Sequence, residues 1–383
     1  MNNLDIGLLA LAVMALLAAW GIHAVTRQFG RDKIFAKITP GQVPLPNQPR
    51  EITRVRGGRE YSGDIAVAFS PPRGLTPGLV GTIVDGKAEM RDVTATIVDL
   101  AVRRYLKITA IDDDPTAKTK KDWLITKLRP AVAPLGEQPL QRFEVRLLEE
   151  LFLHGDQVRM SQLGSVFAET MRRTQNDLYN GVQELGWYER HPQDRGGCLR
   201  VVAIIGGLVG GVLFFFAGMS VWSGVAGLLV AGAGYVLGRA LTHRTPRTAL
   251  GTAVHVQTLG FKKYLETAEA DQIKFEEAAE VFSRYLPYAI VFGVAEHWAK
   301  VFGEVARRAE LEGYTLPLIS DGFDGLYMAA VVVDLLDGVG GGIGLLDVVG
   351  DMDVIGMAGG AVEGLAGFAE GLGDFIDGFD IDF

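Results

Sequence analysis

The longest apolar pattern in the chain is a run of 38 consecutive residues without a charged side chain, between Arg200 and Arg239. A single helical crossing of a bilayer needs about 20 apolar residues. The run is therefore nearly long enough for two crossings, and its only less hydrophobic segment lies in the middle. The pattern predicts a membrane hairpin, with one transmembrane helix over 201–218 and the next over 222–241.

A second apolar run, from Ile6 to Val25, predicts a further transmembrane helix over residues 4–26. Basic side chains follow this run closely and none precedes it, and basic side chains flank both ends of the hairpin. Because cytoplasmic flanks of membrane helices are enriched in Lys and Arg, both patterns predict one topology, with the N-terminus outside and the bulk of the chain in the cytoplasm. A cleaved signal peptide is the alternative interpretation of the first run.

Small residues recur at a spacing of four within the hairpin. This spacing places glycines on one helix face, where the backbones of membrane helices approach closely. The candidate packing residues are Gly206, Gly207, Gly210, Gly211, Gly234 and Gly238. Packing within the hairpin is the favoured interpretation, and self-association between copies is the alternative. The run contains no acidic or basic side chain, which argues against an ion or proton path.

The segments outside the membrane show mixed patterns. Residues 38–72 are rich in proline and predict a linker. Residues 73–130 predict two helices followed by a β-ribbon, as in a winged helix, and residues 139–190 repeat that plan loosely. The predicted fold is a mainly α membrane protein, with three transmembrane helices and cytoplasmic tandem winged-helix-like α+β modules.

Beyond the hairpin, helical spacing predicts a cytoplasmic helical region over 250–316, and residues 320–383 form a Gly- and Asp-rich acidic tail with the composition of a poorly ordered segment. The chain is 48% hydrophobic and 22% charged, which fits a few membrane helices joined to soluble modules. All 37 Lys and Arg residues lie at or before Arg308, whereas 15 of the 46 acidic residues follow it. The basic body favours anionic lipid headgroups.

Four arginines form the candidate interaction face of the two modules: Arg103, Arg104, Arg172 and Arg173. Winged helices often bind DNA in the major groove, but a nucleic-acid footprint is a sustained basic stripe. Acidic residues surround the arginines in both modules. Protein–protein contact is therefore the leading interpretation, and a membrane-tethered DNA-binding regulator is the alternative.

The sequence offers no catalytic constellation, cofactor motif or metal-ligand pattern. Residues 81–88 match most of a phosphate-binding loop, but Ala88 stands where a Ser or Thr would hold magnesium, and the preceding segment predicts a helix rather than a strand. A zinc site of the usual spacing is excluded, because the chain has one cysteine and six scattered histidines. We expect a protein that is not an enzyme and binds no cofactor or metal.

Several short motifs occur in a distinctive order: Ser70–Pro77, Val84–Lys87, Asp92–Arg103, Gly260–Leu265 and Tyr285–Ala289. Their order resembles that of the YciQ-like predicted bacterial membrane proteins, a family of unknown function, over about residues 65–310. The resemblance implies a signal segment, an outer β-rich domain, a span, cytoplasmic modules, a membrane hairpin and a Gly-rich tail. Here the helix over 4–26 stands in place of the span before the modules, and no outer β-rich domain is expected.

Together these patterns predict a multi-pass protein of a bacterial inner membrane that anchors a cytoplasmic interaction or scaffold module. The predicted partners are the lipid bilayer and other proteins, self-association included, and nucleic acid is the alternative partner.

Overall fold

A computed structural model describes residues 3–308, 319–320 and 323–324, with gaps at 49, 112–121, 134–137, 160–163, 194–196, 241–244, 270–272, 274, 296, 299–300, 302–303 and 306–307. Nearly all of the acidic tail predicted over 320–383 therefore lies outside the described residues.

The described part is mainly helical. Its elements in chain order are α1 (Asn3–Phe29), β1 (Lys33–Phe35), β2 (Ile52–Arg54), α2 (Pro77–Asp85), α3 (Met90–Val102), β3 (Leu106–Ile111), β4 (Asp122–Lys127), α4 (Arg142–Leu151), β5 (Gln157–Arg159), α5 (Gly164–Glu184), α6 (Gly197–Gly218), α7 (Val221–Ala240), α8 (Ala249–Thr267), α9 (Phe275–Phe292), β6 (Ile319–Ser320) and β7 (Phe323–Asp324).

The chain forms two compact units. Unit 1 consists of residues 1–64 and 183–256, and unit 2 consists of residues 65–182 and 257–383. Each unit is thus assembled from two separate stretches of the chain, which the linear order of the predicted modules does not reveal.

Unit 1 is built around three helices that are long and apolar enough to cross a membrane. They are Asn3–Phe29, Leu199–Gly218 and Val221–Ala240, with mean hydropathies of 2.2, 2.4 and 1.6. The three candidate spans confirm the helices predicted from the apolar runs. Helix α7 packs against both α1 and α6, and many large apolar side chains of α1 and α6 point outward and are exposed. Such side chains suit a lipid environment, in which only the polar backbone must be satisfied internally.

The polar part of unit 1 brings three chain segments together. Strands β1 and β2 pair antiparallel, with Lys33 opposite Arg54. An isolated antiparallel bridge joins Tyr188 to Arg247, and the Lys33 N–H donates a hydrogen bond to the Arg247 carbonyl at 3.1 Å. The segments that follow α1, precede α6 and follow α7 are therefore connected through their backbones.

Unit 2 is centred on helix α3. The helix begins with a capping box, in which Glu89 and Asp92 accept hydrogen bonds from each other's backbone N–H groups. Most of its residues are buried, because α2 and α9 pack against it. Helix α2 approaches closely at Gly78 and Gly81, where a Cβ on Gly78 would lie 2.6 Å from the Thr96 hydroxyl and one on Gly81 would collide with the Asp92 carboxylate.

A single three-stranded sheet in unit 2 has the order β3-β4-β5. Strands β3 and β4 form the ribbon expected within residues 73–130, with Leu106 opposite Lys127. Strand β5 comes from the second predicted module, yet it pairs with β4, placing Val158 opposite Ile125. The strands from the two predicted modules, 73–130 and 139–190, therefore share one sheet. A three-residue strand offers too few hydrogen bonds to stand alone, and β4 provides it with an edge.

The helical region predicted over 250–316 contains α8 and α9. Phe261 makes edge-to-face contacts with Tyr285, Tyr288 and Phe292 at ring-centroid distances of 5.0, 5.5 and 6.1 Å. The Tyr288 hydroxyl donates to the Leu75 carbonyl at 2.7 Å, which ties α9 to the segment before α2. Helix α9 continues through Pro287, although a proline in a helix interior removes a backbone N–H donor and usually kinks or breaks the helix.

Candidate functional site

Arg103 ends helix α3 and is held by two carboxylates. Its Nη1 donates to Asp99 at 3.2 Å and to Glu144 at 2.9 Å, and its Nη2 donates to the Gln138 carbonyl at 3.3 Å. The guanidinium also lies 5.4 Å from the centre of the Tyr105 ring. Arg103 thus joins α3 to the start of α4, and its donors are committed within unit 2.

Glu144 is the buried partner in the ion pair with Arg103. Its side chain is fully buried, and its Oε2 accepts a hydrogen bond from the Gln141 N–H at 2.6 Å, which closes the capping box of α4. Burial raises the pKa of Glu144 to about 7, more than the attraction of Arg103 lowers it. Burial likewise raises the pKa of Asp99. The cluster of Asp99, Arg103 and Glu144 is therefore a buried polar connection between elements, whose charge depends on pH near neutrality.

Arg104 is exposed and adopts a left-handed backbone conformation, with φ of 60°. Its N–H donates to the Ala101 carbonyl at 2.9 Å. A residue in this conformation reverses the chain direction after a helix, and here it lets β3 start at Leu106. Of the four predicted arginines, Arg104 is the one for which the described part of the chain contains no carboxylate partner.

Arg172 and Arg173 lie on helix α5 and pair with acids. Arg172 contacts Glu169 at 2.5 Å, and Arg173 contacts Glu169 at 3.1 Å and Glu150 of α4 at 3.5 Å. These side chains are more than half exposed. Nearby, Arg146 of α4 contacts Asp177 of α5 at 2.7 Å. The surface formed by α4 and α5 thus carries interspersed positive and negative side chains.

The predicted interaction face is consequently divided. Arg103 belongs to a partly buried cluster at the end of α3, whereas Arg172 and Arg173 belong to the exposed surface of α4 and α5. Three of the four arginines are paired with carboxylates within the described residues. A basic stripe of the kind that tracks a phosphate backbone is not formed by these four side chains.

The hairpin glycines bring α6 and α7 into backbone contact. A Cβ on Gly207 would lie 2.6 Å from the Gly234 Cα, and one on Gly211 would lie 2.6 Å from the Gly227 carbonyl oxygen. A Cβ on Gly238 would lie 2.7 Å from the Ile204 side chain, and one on Gly210 would lie 3.1 Å from Val230. Gly207 and Gly211 face backbone atoms and leave no room for a larger side chain without separation of the helices, whereas Gly210 and Gly238 face side chains.

Gly206 is one of the predicted packing residues, but it does not lie in the contact between α6 and α7. A Cβ there would meet no heavy atom within 4 Å. Successive residues of a helix are rotated by about 100°, since there are about 3.6 residues per turn. Gly206 and Gly207 therefore cannot both face α7, and the close approach of Gly207 turns Gly206 toward open space.

A polar contact connects the N-terminal end of α1 to the turn of the hairpin. The Ser220 hydroxyl donates to the Asp5 carboxylate at 2.6 Å, and the same oxygen caps the start of α7 by accepting from the Ser223 N–H at 3.1 Å. Asp5 is 5% exposed. Sequence reasoning missed this contact because its partners are far apart, although Asp5 directly precedes an uncharged run of membrane-spanning length.

A second buried ion pair lies at the opposite ends of the spans. The Arg247 side chain is fully buried and contacts Asp32 at 2.9 Å and Glu60 at 3.2 Å. The backbone N–H of Arg247 donates to the other Asp32 oxygen at 2.7 Å. Burial raises the pKa of Asp32 despite the attraction of Arg247. We call these three residues the juxtamembrane clamp.

The juxtamembrane clamp connects the segment after α1 to the segment after α7. Asp32 lies three residues beyond the end of α1, and its N–H donates to the Arg59 carbonyl at 2.8 Å. In the sequence, Arg247 is recognisable only as one of the basic residues that follow the hairpin. The signal that could have found the clamp is Asp32, an acid inside the basic flank of the first span.

The described residues contain no group of three or more His, Cys, Asp or Glu side chains that could hold a metal ion. The acidic side chains of the two clusters form ion pairs with arginines: Asp99 and Glu144 pair with Arg103, and Asp32 and Glu60 pair with Arg247. What the geometry offers is two buried ion-pair clusters, one in each unit, and an exposed surface of mixed charge.

Comparison with families of known proteins gave a match over most of the described chain. The family described as "Predicted membrane protein (DUF2207) C-terminal domain" matches residues 65–302, which is more than half of the chain. The matched region includes the hairpin and all of the helices and strands from α2 to α9. Comparison with curated proteins and with solved structures gave no match.

Proposed function

We propose that this chain, which belongs to the DUF2207 family of predicted membrane proteins, is a membrane-anchored protein-interaction or scaffold protein. In this proposal the three helices of unit 1 are the anchor, and unit 2 presents the surface that partners recognise. The anchor is a multi-pass assembly in a bacterial inner membrane.

The proposed orientation rests on two features of unit 1. The contact between Asp5 and Ser220 keeps the N-terminal end of α1 beside the hairpin turn, so both lie on one side of the bilayer. Basic residues flank the other ends of the spans, at Arg27, Arg31, Arg200 and Arg239. By the preference for basic cytoplasmic flanks, the N-terminus is outside and the clamp is cytoplasmic.

The observation that carries the interaction role is the surface of α4 and α5. Its ion pairs join two exposed arginines to acids: Arg146 pairs with Asp177, and Arg173 pairs with both Glu150 and Glu169. In the pair between Arg173 and Glu169 both side chains are exposed, by 55% and 41%. Such a pair contributes little to stability, about 0–1 kcal/mol, so Arg173 can exchange it for a carboxylate of a partner. Alternating charge gives orientation and selectivity toward a protein partner with the complementary pattern.

A winged-helix-like interpretation fits the order of elements in unit 2. Helices α2 and α3 are followed by the β3–β4 ribbon, and α4 is followed by β5 and α5. We infer that this architecture serves protein contacts. The four arginines that would have been the DNA-reading residues are divided between two places, and three of them are paired with acids.

The experiment compares what the full-length protein captures from detergent-solubilised membranes when one charge on this surface is reversed. We expect Arg173→Glu to lose the specific protein partners, because it places a third acid beside Glu150 and Glu169. Arg284→Glu is the matched control: both arginines have side chains that are 55% exposed, and both pair with a glutamate four residues earlier. The control should retain the partners.

The outcomes separate the alternatives. Partners that survive Arg173→Glu would contradict the assignment of this surface. Recovery of nucleic acid alone, lost on nuclease treatment, would favour a DNA-binding regulator and contradict the proposal. Recovery of the chain itself as the only partner, with the same dependence on Arg173, would identify the interaction as self-association.

A further inference from the structure

A cavity of about 590 Å³ lies in unit 1, between the strands that follow the first span. All of its lining residues come from positions 34–63. The volume falls within the range of about 300–1,000 Å³ that is typical of small-molecule sites. The juxtamembrane clamp contains Asp32 and Glu60 but neither residue lines the cavity, so the cavity is a separate feature.

The position of the cavity relative to the first span follows from Arg54. This residue lines the cavity, and its Nη1 donates to the carbonyls of Gln28 and Phe29 at 2.9 and 2.6 Å. Its guanidinium also lies 4.7 Å from the centre of the Phe29 ring. One wall of the cavity is therefore bonded to the last turn of α1.

The length of α1 places that last turn at the membrane surface. The helix has 27 residues, which corresponds to about 40 Å at about 1.5 Å per residue. The hydrocarbon core of a bilayer is about 30 Å thick, and about 40–45 Å with its headgroup regions. The carbonyls of Gln28 and Phe29, and the cavity wall attached to them, therefore fall within the headgroup layer.

The lining of the cavity is both cationic and apolar. Lys37, Arg54 and Arg56 contribute the charge, and Ile34, Ile38 and Tyr61 are among the less polar side chains. Within the described part of the chain, the residues that line the cavity include no Asp or Glu. Lys37 contacts Glu51 at 3.0 Å, but both side chains are more than half exposed, so this pair is weak. Arg54 uses Nη1 for the helix carbonyls, and a guanidinium also has N–H donors on Nη2 and Nε.

We propose that this cavity binds the headgroup of an anionic glycerophospholipid, with the phosphate held by Lys37, Arg54 and Arg56 and the glycerol region against the apolar lining. Three cations around a concave site suit the geometry of a phosphodiester, because Arg donates paired N–H groups to phosphate oxygens. The bilayer is the source of the ligand, since the cavity wall formed by Arg54 is bonded to the end of α1, at the level where headgroups are concentrated.

The test measures lipid binding to the delipidated full-length protein in detergent by native mass spectrometry. The probes are phosphatidylglycerol, phosphatidylcholine and inorganic phosphate. We expect phosphatidylglycerol to bind more tightly than phosphatidylcholine, and each cation removed to weaken its binding about fivefold, since a basic residue near an anionic surface contributes about 1 kcal/mol. The variants are Lys37→Gln and Arg56→Gln, which both lie at exposed positions.

Arg50→Gln is the control, because it removes an equal charge from an exposed position in the same segment that does not line the cavity. It should leave phosphatidylglycerol binding unchanged. Equal weakening by Arg50→Gln would show that lipid responds only to the overall charge of the segment, and would overturn the proposal. Equal binding of the two lipids would also overturn it. Inorganic phosphate that competes fully with phosphatidylglycerol at similar concentration would assign the site to a soluble anion instead of a lipid.

Discussion

Two buried arginine–carboxylate pairs connect parts of the chain that are distant in sequence. Arg103 reaches Glu144, 41 residues away, and Arg247 reaches Asp32, 215 residues away. Removal of one member of a buried pair leaves an uncompensated charge and costs about 3–5 kcal/mol, although the intact pair contributes little net stability. These residues therefore specify how segments are joined more than they stabilise the fold.

Glu144 should make the stability of the protein depend on pH. Its pKa is about 7 in the folded state, against 4.5 as the ordinary value. Between these two values the unfolded state releases a proton that the folded state keeps. The free energy of unfolding should thus fall as the pH rises through this window, by up to about 3 kcal/mol for a shift of this size. Denaturant unfolding in detergent at pH 4.5 to 8 measures the decline.

Glu144→Gln should reduce that decline, because the amide does not titrate. Burial raises the pKa of Asp32, Asp85, Asp92 and Asp99 as well, so part of the decline should remain in the variant. Glu149→Gln, an exposed position on the same helix, is the control and should keep the profile of the unsubstituted protein. An identical decline in the Glu144 variant would mean that this carboxyl does not titrate in the window.

The juxtamembrane clamp makes a second prediction at the residue scale. Arg247→Met should destabilise the protein by about 3–5 kcal/mol, because it leaves Asp32 buried without its cation. Lys37→Met is the control, because Lys37 pairs with Glu51 and both side chains are more than half exposed, and loss of an exposed pair costs about 1 kcal/mol or less. Thermal unfolding in detergent compares the two. Equal losses of stability would contradict a special role for the buried pair.

At the scale of elements, the contact between α6 and α7 depends on backbone proximity. Gly207→Ala should destabilise the hairpin by about 1–3 kcal/mol, the usual effect of overpacking, because the added methyl group would lie 2.6 Å from the Gly234 Cα. Backbone atoms cannot move aside as a flexible side chain can. The melting temperature of the full-length protein in detergent is the measurement.

Gly206→Ala is the control for this prediction, as it is the same substitution one residue earlier in the same helix. A methyl group there meets nothing within 4 Å. It should be neutral, or stabilising by up to about 1 kcal/mol, because alanine favours a helix over glycine. If Gly206→Ala were as damaging as Gly207→Ala, the face of α6 that packs on α7 would be wrongly assigned.

The elements that could be predicted from the sequence are those encoded by local patterns. The three spans follow from uninterrupted apolar runs, and the β3–β4 ribbon follows from alternation within residues 105–127. The pairing of β5 with β4 could not be predicted, because a three-residue strand carries almost no pattern and its partner is about 30 residues away. The same limit applies to Arg103 and Glu144, since a charge pattern shows that acids are near an arginine but not which one it contacts.

At the scale of the whole molecule, the three spans of unit 1 form one bundle with distinguishable ends. Asp5 and Ser220 mark one end, and Asp32 and Arg247 mark the other. An odd number of spans requires the N-terminus and the segment after α7 to lie on opposite sides of the bilayer. In the topology that we propose, the bundle fixes which positions share a side, and the preference for basic cytoplasmic flanks assigns the side of Asp32 and Arg247 to the cytoplasm.

Cysteine labelling tests these two statements separately. The single cysteine, Cys198, is first replaced by serine, and single cysteines are then introduced as Asn3→Cys, Val221→Cys and Gln42→Cys at exposed positions. In intact spheroplasts a membrane-impermeant maleimide should label the first two, and Gln42→Cys should react only after permeabilisation. Labelling of Gln42→Cys alone would reverse the orientation but leave the bundle intact. Labelling of Asn3→Cys and Val221→Cys from opposite sides would contradict the contact between Asp5 and Ser220, and with it the three-helix anchor itself.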